Sequence, residues 1–222
     1  MDGEYSVYFA RDCGGVSDGR LRELTLRLSR EDRARAERYL RRESRLMFTA
    51  ARLLLCYALE DCFGIRNAEI RAAPSGKPYA AGAENVCFSI SHSAYSCICA
   101  VARREIGADI QKRVSPFPRL IGRVCSPAEA ELLRTAEDPT AVFTDMWALK
   151  ESLLKLTGEG IPRGLAAADT ADYPARGELL RFGDEHIAVS TYALPGEKGS
   201  VGAMDEGRVI TVAAEELLRT GK

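Results

Sequence analysis

Three charged residues interrupt an otherwise apolar helical stretch in the C-terminal half of the chain. The stretch WALKESLLKLTGEG spans residues 147–160 and places Lys150, Glu151 and Lys155 among Trp and Leu side chains. Burying a charge is costly unless it is paired or meets a ligand. Glu151 and Lys155 are four residues apart, so they lie side by side on a helix. They indicate either an ion pair or a carboxylate and an ammonium that handle a metal-bound phosphate and its protons.

A second carboxylate comes from a predicted strand. In EIGADIQ, residues 105–111, the alternating pattern puts Asp109 and Gln111 on the face opposite the Ile and Ala side chains. Mg²⁺ prefers oxygen ligands and takes few of them from protein, so Asp109, Glu151 and the Gln111 amide would suit it. The alternative is that Asp109 pairs with an arginine and Glu151 with Lys155, with no metal between them.

Other candidates depend on single residues. Ser91 and His92 are adjacent, and neighbouring strand residues face opposite sides, so a nucleophile–base dyad is not expected. His92 at a strand end could bind a phosphate or could be structural. Lys77 in the turn SGKPY could reach a ligand phosphate, whereas His186 is expected to be structural or exposed to solvent. P-loop, nucleophile-elbow, HExxH and GxGxxG patterns are absent from the sequence.

Hydrophobic periodicity and capping signals predict an α+β protein of two halves of similar architecture, residues 1–104 and 105–222. Each half reads as a strand, then helices, then strands. We expect strands at 5–10, 85–91, 96–102, 105–111, 187–194, 199–204 and 208–213. Helix starts are expected at Ser29, Ser126 and Asp138, with a helix of apolar period 3.6 through 46–58 and a long loop at 166–177.

Arginine is concentrated near the N-terminus. Residues 20–52 contain eleven Arg against five Asp or Glu. Such a segment can be a solvated helical face, or it can bind phosphates or an acidic protein.

Composition and cysteine use narrow the function classes. The chain has 222 residues, 46% hydrophobic and 28% charged, with a net charge of −1, which is not that of a protein that coats nucleic acid. No apolar run is long enough for a membrane span, and the N-terminus lacks the features of a secretory signal. Seven cysteines without a CxxC pair favour free thiols in a reducing cytoplasm over disulfides or a metal centre.

Four segments in order resemble the signatures of one enzyme family. SGKPY (75–79), FSISHS (88–93), IGADIQK (106–112) and WALKESLLKLTGEGI (147–161) are similar to those of 4′-phosphopantetheinyl transferases of the surfactin-synthetase-activating type. The resemblance implies that the chain moves the phosphopantetheine arm of coenzyme A to a serine of an acyl or peptidyl carrier protein and releases 3′,5′-ADP. It also implies a monomer whose two halves are related by a pseudo-twofold axis, with a cleft for coenzyme A and Mg²⁺ between them.

The resemblance also implies roles for the candidate residues. Asp109 and Glu151 would bind Mg²⁺ at the coenzyme A diphosphate, with Gln111 or water as a further ligand. Glu151 would help to remove the serine proton, and Lys155 would stabilise the leaving phosphate oxygen. Coenzyme A contacts are then expected from Arg35, Lys77, Pro78, Ser91, His92, Lys150 and Lys155.

The sequence departs from the family pattern at three positions. Gln111 stands where many bacterial members have Glu, Met47 where many have Arg, and Asp32 where some have a basic residue. A coenzyme A-binding protein of the same fold without turnover therefore remains an alternative. A phosphate-handling metal hydrolase would need more His or Asp ligands than the chain offers.

Overall fold

The computed structural model describes residues 5–158, 164–167, 175–193, 198–213 and 217. Its strands are β1 (Tyr5–Ala10), β2 (Glu69–Ala72), β3 (Pro78–Ala81), β4 (Cys87–Ser93), β5 (Ser96–Ala102), β6 (Ile106–Lys112), β7 (Ala175–Phe182), β8 (Glu185–Tyr192), β9 (Ser200–Ala203) and β10 (Val209–Val212). Its helices are α1 (Asp18–Leu26), α2 (Arg30–Glu37), α3 (Arg42–Phe63), α4 (Pro118–Val124), α5 (Pro127–Thr135) and α6 (Pro139–Thr157). The predicted α+β class, with a sheet in each half, is confirmed.

Two four-stranded sheets form the centre of the molecule. The first has the order β10-β1-β5-β4 and the second β6-β8-β7-β9, while β2 and β3 form a separate hairpin. The inner faces share one apolar core, to which β1 contributes Val7 and Phe9, and β6 contributes Ile106 and Ile110. Helix α3 covers the outer face of the first sheet, and α6 covers that of the second.

The structure differs from the division at residue 104 in one element. Strand β10 follows the second half in sequence but pairs in parallel with β1, with Val7 opposite Val209. The first sheet therefore takes an edge strand from the C-terminal part of the chain.

The long helix α6 begins and ends as its sequence predicts. The Asp138 side chain accepts a hydrogen bond from Ala141 N at 3.0 Å, and Pro139 occupies the first turn, where its missing N–H costs nothing. Gly158 ends the helix with a positive φ of 72°, a conformation that favours glycine.

Gly107 allows β6 to approach α6 closely. A Cβ atom at this position would lie 1.9 Å from the backbone oxygen of Ser152, so no larger residue fits without a shift. This approach places the outward-facing residues of β6, which include Asp109, directly against α6.

The alternation predicted for β4 and β6 is confirmed, but three strands, β2, β3 and β7, were missed. Phe88 packs in the α3 core, and Ser89 and Ser91 face β6. Strand β7 begins inside the segment predicted as a loop, of which residues 168–174 lie outside the described ranges. Within the described ranges, no helix combines the length and apolar character needed to cross a bilayer.

Candidate active site

Asp109 is the centre of a hydrogen-bonded cluster between β4, β6 and α6. It is only 3% exposed. Its Oδ1 accepts hydrogen bonds from Ser91 Oγ and Lys155 Nζ, both at 2.6 Å, and its Oδ2 accepts one from Gln111 Nε2 at 2.8 Å. One full positive charge and two neutral donors therefore compensate this buried carboxylate.

Alternate serines of β4 bind the neighbouring strand β6 and hold the cluster in register. Ser89 Oγ accepts from Ala108 N at 2.9 Å, and Ser93 Oγ accepts from Lys112 N at 2.8 Å. Ser91 lies between them and reaches Asp109 instead. The FSISHS pattern thus joins the edges of the two sheets through side chains, because serine is short enough to reach a neighbouring backbone.

Glu151 lies one helical turn before Lys155 on α6, with a half-buried side chain. Burial raises its pKa, and the nearby negative charge of Asp109 raises it further. The Lys155 charge and the Trp147 side chain act in the opposite direction. Two carboxylates from different elements therefore interact electrostatically, with one ammonium beside both.

His92 is exposed at the end of β4, close to this cluster. Its pKa is lowered because partial burial removes some of its hydration and because Lys155 is positively charged, although Asp109 partly offsets this. A neutral imidazole is therefore favoured at pH 7, and it offers both a donor and an acceptor.

A cleft of about 340 Å³ opens beside the cluster, between the first half and α6. Lys77 and Pro78 form part of one wall, and Glu151 and Lys155 form part of the other. The Lys77 ammonium is paired with Glu105 and donates to Leu156 O at 2.9 Å. A second cavity of about 420 Å³ lies on the other side of the Lys77 loop. These volumes fall in the range of small-molecule sites.

Lys150 lies apart from the cleft, although it precedes Glu151 in sequence. Its side chain is fully buried, and its ammonium donates to Val124 O at 2.7 Å, Leu165 O at 3.2 Å and Glu129 Oε2 at 2.5 Å. Successive helix residues point about 100° apart, so neighbours in sequence face different surroundings. All three donors of the ammonium are used, and the predicted phosphate contact of Lys150 finds no support here.

Arg35 is also not brought to the Asp109 cluster by any contact in the described part of the chain. It is exposed on α2, and its guanidinium lies 5.3 Å from the centre of the Phe48 ring. Met47, on α3, is buried in the apolar core, so the position that carries arginine in many family members offers no charge here. Arg45 points into a different cavity between the N-terminal helices.

A second polar cluster, which was not predicted from the sequence, lies toward the other end of α6. His186 is fully buried, and its Nδ1 lies 2.7 Å from Asp145 Oδ1. Burial alone would raise the pKa of Asp145, but hydrogen bonds from His186 and Arg181 lower it overall. The sheet register, which puts His186 opposite Gln111, and helix α6, which carries Asp145, relate this cluster to the cleft.

The side chains at and beside the cleft offer oxygen atoms, from carboxylate and amide groups, as possible metal ligands. The described residues contain no group of three His, Cys, Asp or Glu side chains that could hold a metal ion. Asp109 and Glu151 could therefore bind a hard cation only with help from an amide, from water or from a substrate.

Comparison with known proteins supports the resemblance that the motifs indicated. Residues 105–213 match the sequence model of the 4′-phosphopantetheinyl transferase superfamily. A Synechocystis sp. protein provisionally named a 4′-phosphopantetheinyl transferase is 33% identical over 186 residues, which is 78% of this chain and 75% of that protein. The 4′-phosphopantetheinyl transferase HetI of Nostoc sp. is 33% identical over 66% of each chain.

The similarity extends over nearly the whole length of a third relative. The 4′-phosphopantetheinyl transferase Sfp of Bacillus subtilis is 26% identical over 224 aligned residues, which is 96% of this chain and 99% of that protein. The chain therefore belongs to the 4′-phosphopantetheinyl transferase superfamily.

Proposed function

We propose that this transferase moves the phosphopantetheine arm of coenzyme A to a carrier-protein serine in the cleft between its two halves. Asp109, Glu151 and Lys155 would be the catalytic residues. The observation that carries the proposal is that α6 puts Glu151 and Lys155 on the wall of a ligand-sized cleft, where Lys155 also binds the buried Asp109 carboxylate of β6.

The donor set fits Mg²⁺, which we propose as the cofactor. Asp109 and Glu151 would hold it, with Gln111 or water as a further ligand. When bound, the ion would neutralise diphosphate charge and polarise the phosphorus that is attacked. In the structure, the Lys155 ammonium compensates the negative charge of Asp109. The Asp109 carboxylate is therefore already placed to bind a cation.

Proton transfer would depend on Glu151. The serine oxygen of the carrier forms the new P–O bond, its proton passes to Glu151, and the bond to the 3′,5′-ADP oxygen breaks. Lys155 would stabilise the charge on that leaving oxygen. A raised pKa makes Glu151 a better proton acceptor than an ordinary surface glutamate.

Substrate contacts are proposed for residues at and near the cleft wall. Lys77 and Pro78 line the cleft and would contact the nucleotide. His92, at the end of β4 near Lys155 and Asp109, would donate a hydrogen bond to a phosphate. Ser91 would act through Asp109, because its hydroxyl is already bound there. A contact from Arg35 remains a proposal that depends on the bound position of coenzyme A.

The direct test combines the chain with coenzyme A, MgCl₂ and an apo carrier domain, followed by intact mass measurement of the carrier. We expect a gain of one phosphopantetheine unit, which is lost on chelation of Mg²⁺ and in Asp109→Asn. The matched control is Asp145→Asn, which removes a carboxylate of α6 outside the cleft. Unchanged transfer by Asp109→Asn would contradict the assigned site.

The same experiment separates the alternatives. A protein that only binds coenzyme A leaves the carrier mass unchanged but protects coenzyme A in the cleft. A hydrolase degrades coenzyme A without a carrier. Gln111→Glu adds a third acidic ligand and should lower the Mg²⁺ concentration for half-maximal transfer, whereas no effect would argue against a ligand at this position.

We further propose that the chain works as a cytoplasmic monomer. All seven cysteines are free thiols, four of them buried, as expected for a reducing compartment. Light scattering after size-exclusion chromatography tests the monomer, and thiol titration of the protein unfolded under argon tests the cysteines.

A further inference from the structure

The arginine-rich N-terminal segment forms a further cavity, separate from the two beside the Lys77 loop, which the proposed transfer reaction does not use. Helices α1, α2 and α3 surround about 430 Å³ of space. None of the residues that line it also lines the cleft. It is lined by Asp18, Leu21, Arg22, Thr25, Leu26, Arg33, Glu37, Arg42 and Arg45.

The charges in this cavity are not balanced. Four arginines face two carboxylates. Arg42 is paired with Asp18, and Arg33 donates to the backbone oxygen of Leu26 at 2.5 Å. Neither Arg22 nor Arg45 has a side-chain hydrogen bond or ion pair with any residue that the structure describes.

Buried guanidinium nitrogens point to an acceptor that the chain itself does not provide. The Nε atoms of Arg33 and Arg45 are shielded from solvent and have no hydrogen-bond partner among the described residues. A buried donor without an acceptor is destabilising, and native proteins rarely leave one. A fork of N–H donors matches the oxygens of a phosphate.

We propose that this cavity binds a small molecule that carries a phosphate group, separately from coenzyme A. The phosphate lies against Arg45 and Arg22, and the rest of the molecule contacts the apolar side chains of Leu21 and Leu26. A concave space of this volume suits a small ligand, whereas a protein partner needs a much larger flat surface.

The test follows arginine side-chain NMR signals of the full-length protein during titration with three probes. Inorganic phosphate, glycerol phosphate and 3′,5′-ADP are compared with chloride at equal ionic strength. We expect the Nε–H signals of Arg33 and Arg45 to shift with each phosphate probe and not with chloride. The probe that binds most tightly distinguishes free phosphate from an organic phosphate.

Variants make the result specific. Arg45→Gln should weaken phosphate binding at this cavity about tenfold or more, while Arg38→Gln removes the same charge from the same segment without lining the cavity and should have no effect. Arg45→Lys keeps the charge but loses the fork and should fall between them. Heteronuclear backbone spectra confirm that each variant is folded.

Four outcomes would overturn the proposal. Three of them are no shift with any phosphate, equal weakening in Arg38→Gln and Arg45→Gln, and shifts confined to His92 and Lys155 beside the Asp109 cluster. A raised KM for coenzyme A in Arg45→Gln would likewise overturn it, because the cavity would then be part of the coenzyme A site.

Discussion

Two lysines of helix α6 each pair with a carboxylate from another element, and the two pairs differ in the charge that remains unbalanced around them. Lys150 and Glu129 are completely enclosed, and three acceptors use every donor of the ammonium. Lys155 remains 31% exposed and pairs with Asp109 at the cleft. Glu151 beside it forms no ion pair with any residue that the structure describes.

This difference separates a structural charge from a reactive one. A saturated pair has no capacity for a ligand, and removing one partner leaves a buried charge alone. At the cleft, the negative charge of two carboxylates exceeds the positive charge of one lysine. A cation or a proton can therefore be accepted there, as the raised pKa of Glu151 indicates.

The largest expected effect is on transfer, from Glu151→Gln. Loss of both a metal ligand and a proton acceptor should reduce the transfer rate about a thousandfold or more. Stopped-flow or mass-based kinetics measures it, and circular dichroism checks that the fold is kept. Wild-type rates in this variant would show that Glu151 does not take part in the reaction.

The opposite pattern is expected at the enclosed pair. Lys150→Met should lower the free energy of unfolding by about 3–5 kcal/mol, because the buried Glu129 carboxylate loses the positive charge that compensates it. Lys155→Met should cost less stability, since Ser91 and Gln111 still donate to Asp109, but much more activity. Urea unfolding of both variants makes the comparison.

The double variant Lys150→Met with Glu129→Gln gives the control for this prediction. Gln keeps the acceptor of the helix cap at Ser126 and removes the charge. Its stability should recover part of the loss. Equal stabilities of single and double variants would contradict the buried-charge explanation.

The contact that brings the reactive pair together can be tested next. Gly107→Ala should destabilise the protein by about 1–3 kcal/mol and reduce transfer, since the new methyl group collides with the α6 backbone at Ser152. Gly122→Ala on α4 meets open space and should not destabilise. Thermal unfolding distinguishes them, and equal effects would mean that close packing is unimportant.

The smallest effect concerns pH. Because the folded pKa of Glu151 is raised, its contribution to stability is fully present below its unfolded pKa and is lost as pH rises through the folded pKa. Glu151→Gln should therefore be slightly more stable than wild type at pH 7, and this gain should vanish below about pH 4. The exposed control Glu137→Gln should show no such trend.

The sequence predicted the cluster better than its surroundings. Strand and helix periodicities put Asp109 on the polar face of its strand and Glu151 beside Lys155 on its helix, but only the family resemblance predicted that the strand and the helix meet at one site. The partner of Lys150 was not predicted. Glu129 already had a role in the helix cap, and no local pattern indicates that it also pairs with Lys150. Strand β7 was missed since ARGELLRF carries two adjacent leucines and no alternation.

The pairing of β10 with β1, which are far apart in the sequence, was not predicted either. Strand β10 looks like any short apolar run, and its place beside β1 depends on the whole first sheet. That pairing also has a consequence for biogenesis. The first sheet lacks its β10 edge strand until residues 209–212 have been synthesised, so during synthesis β1 pairs with β5 alone and its other edge stays open to non-native pairing. A gene cut after residue 104 would therefore encode a first sheet without this strand.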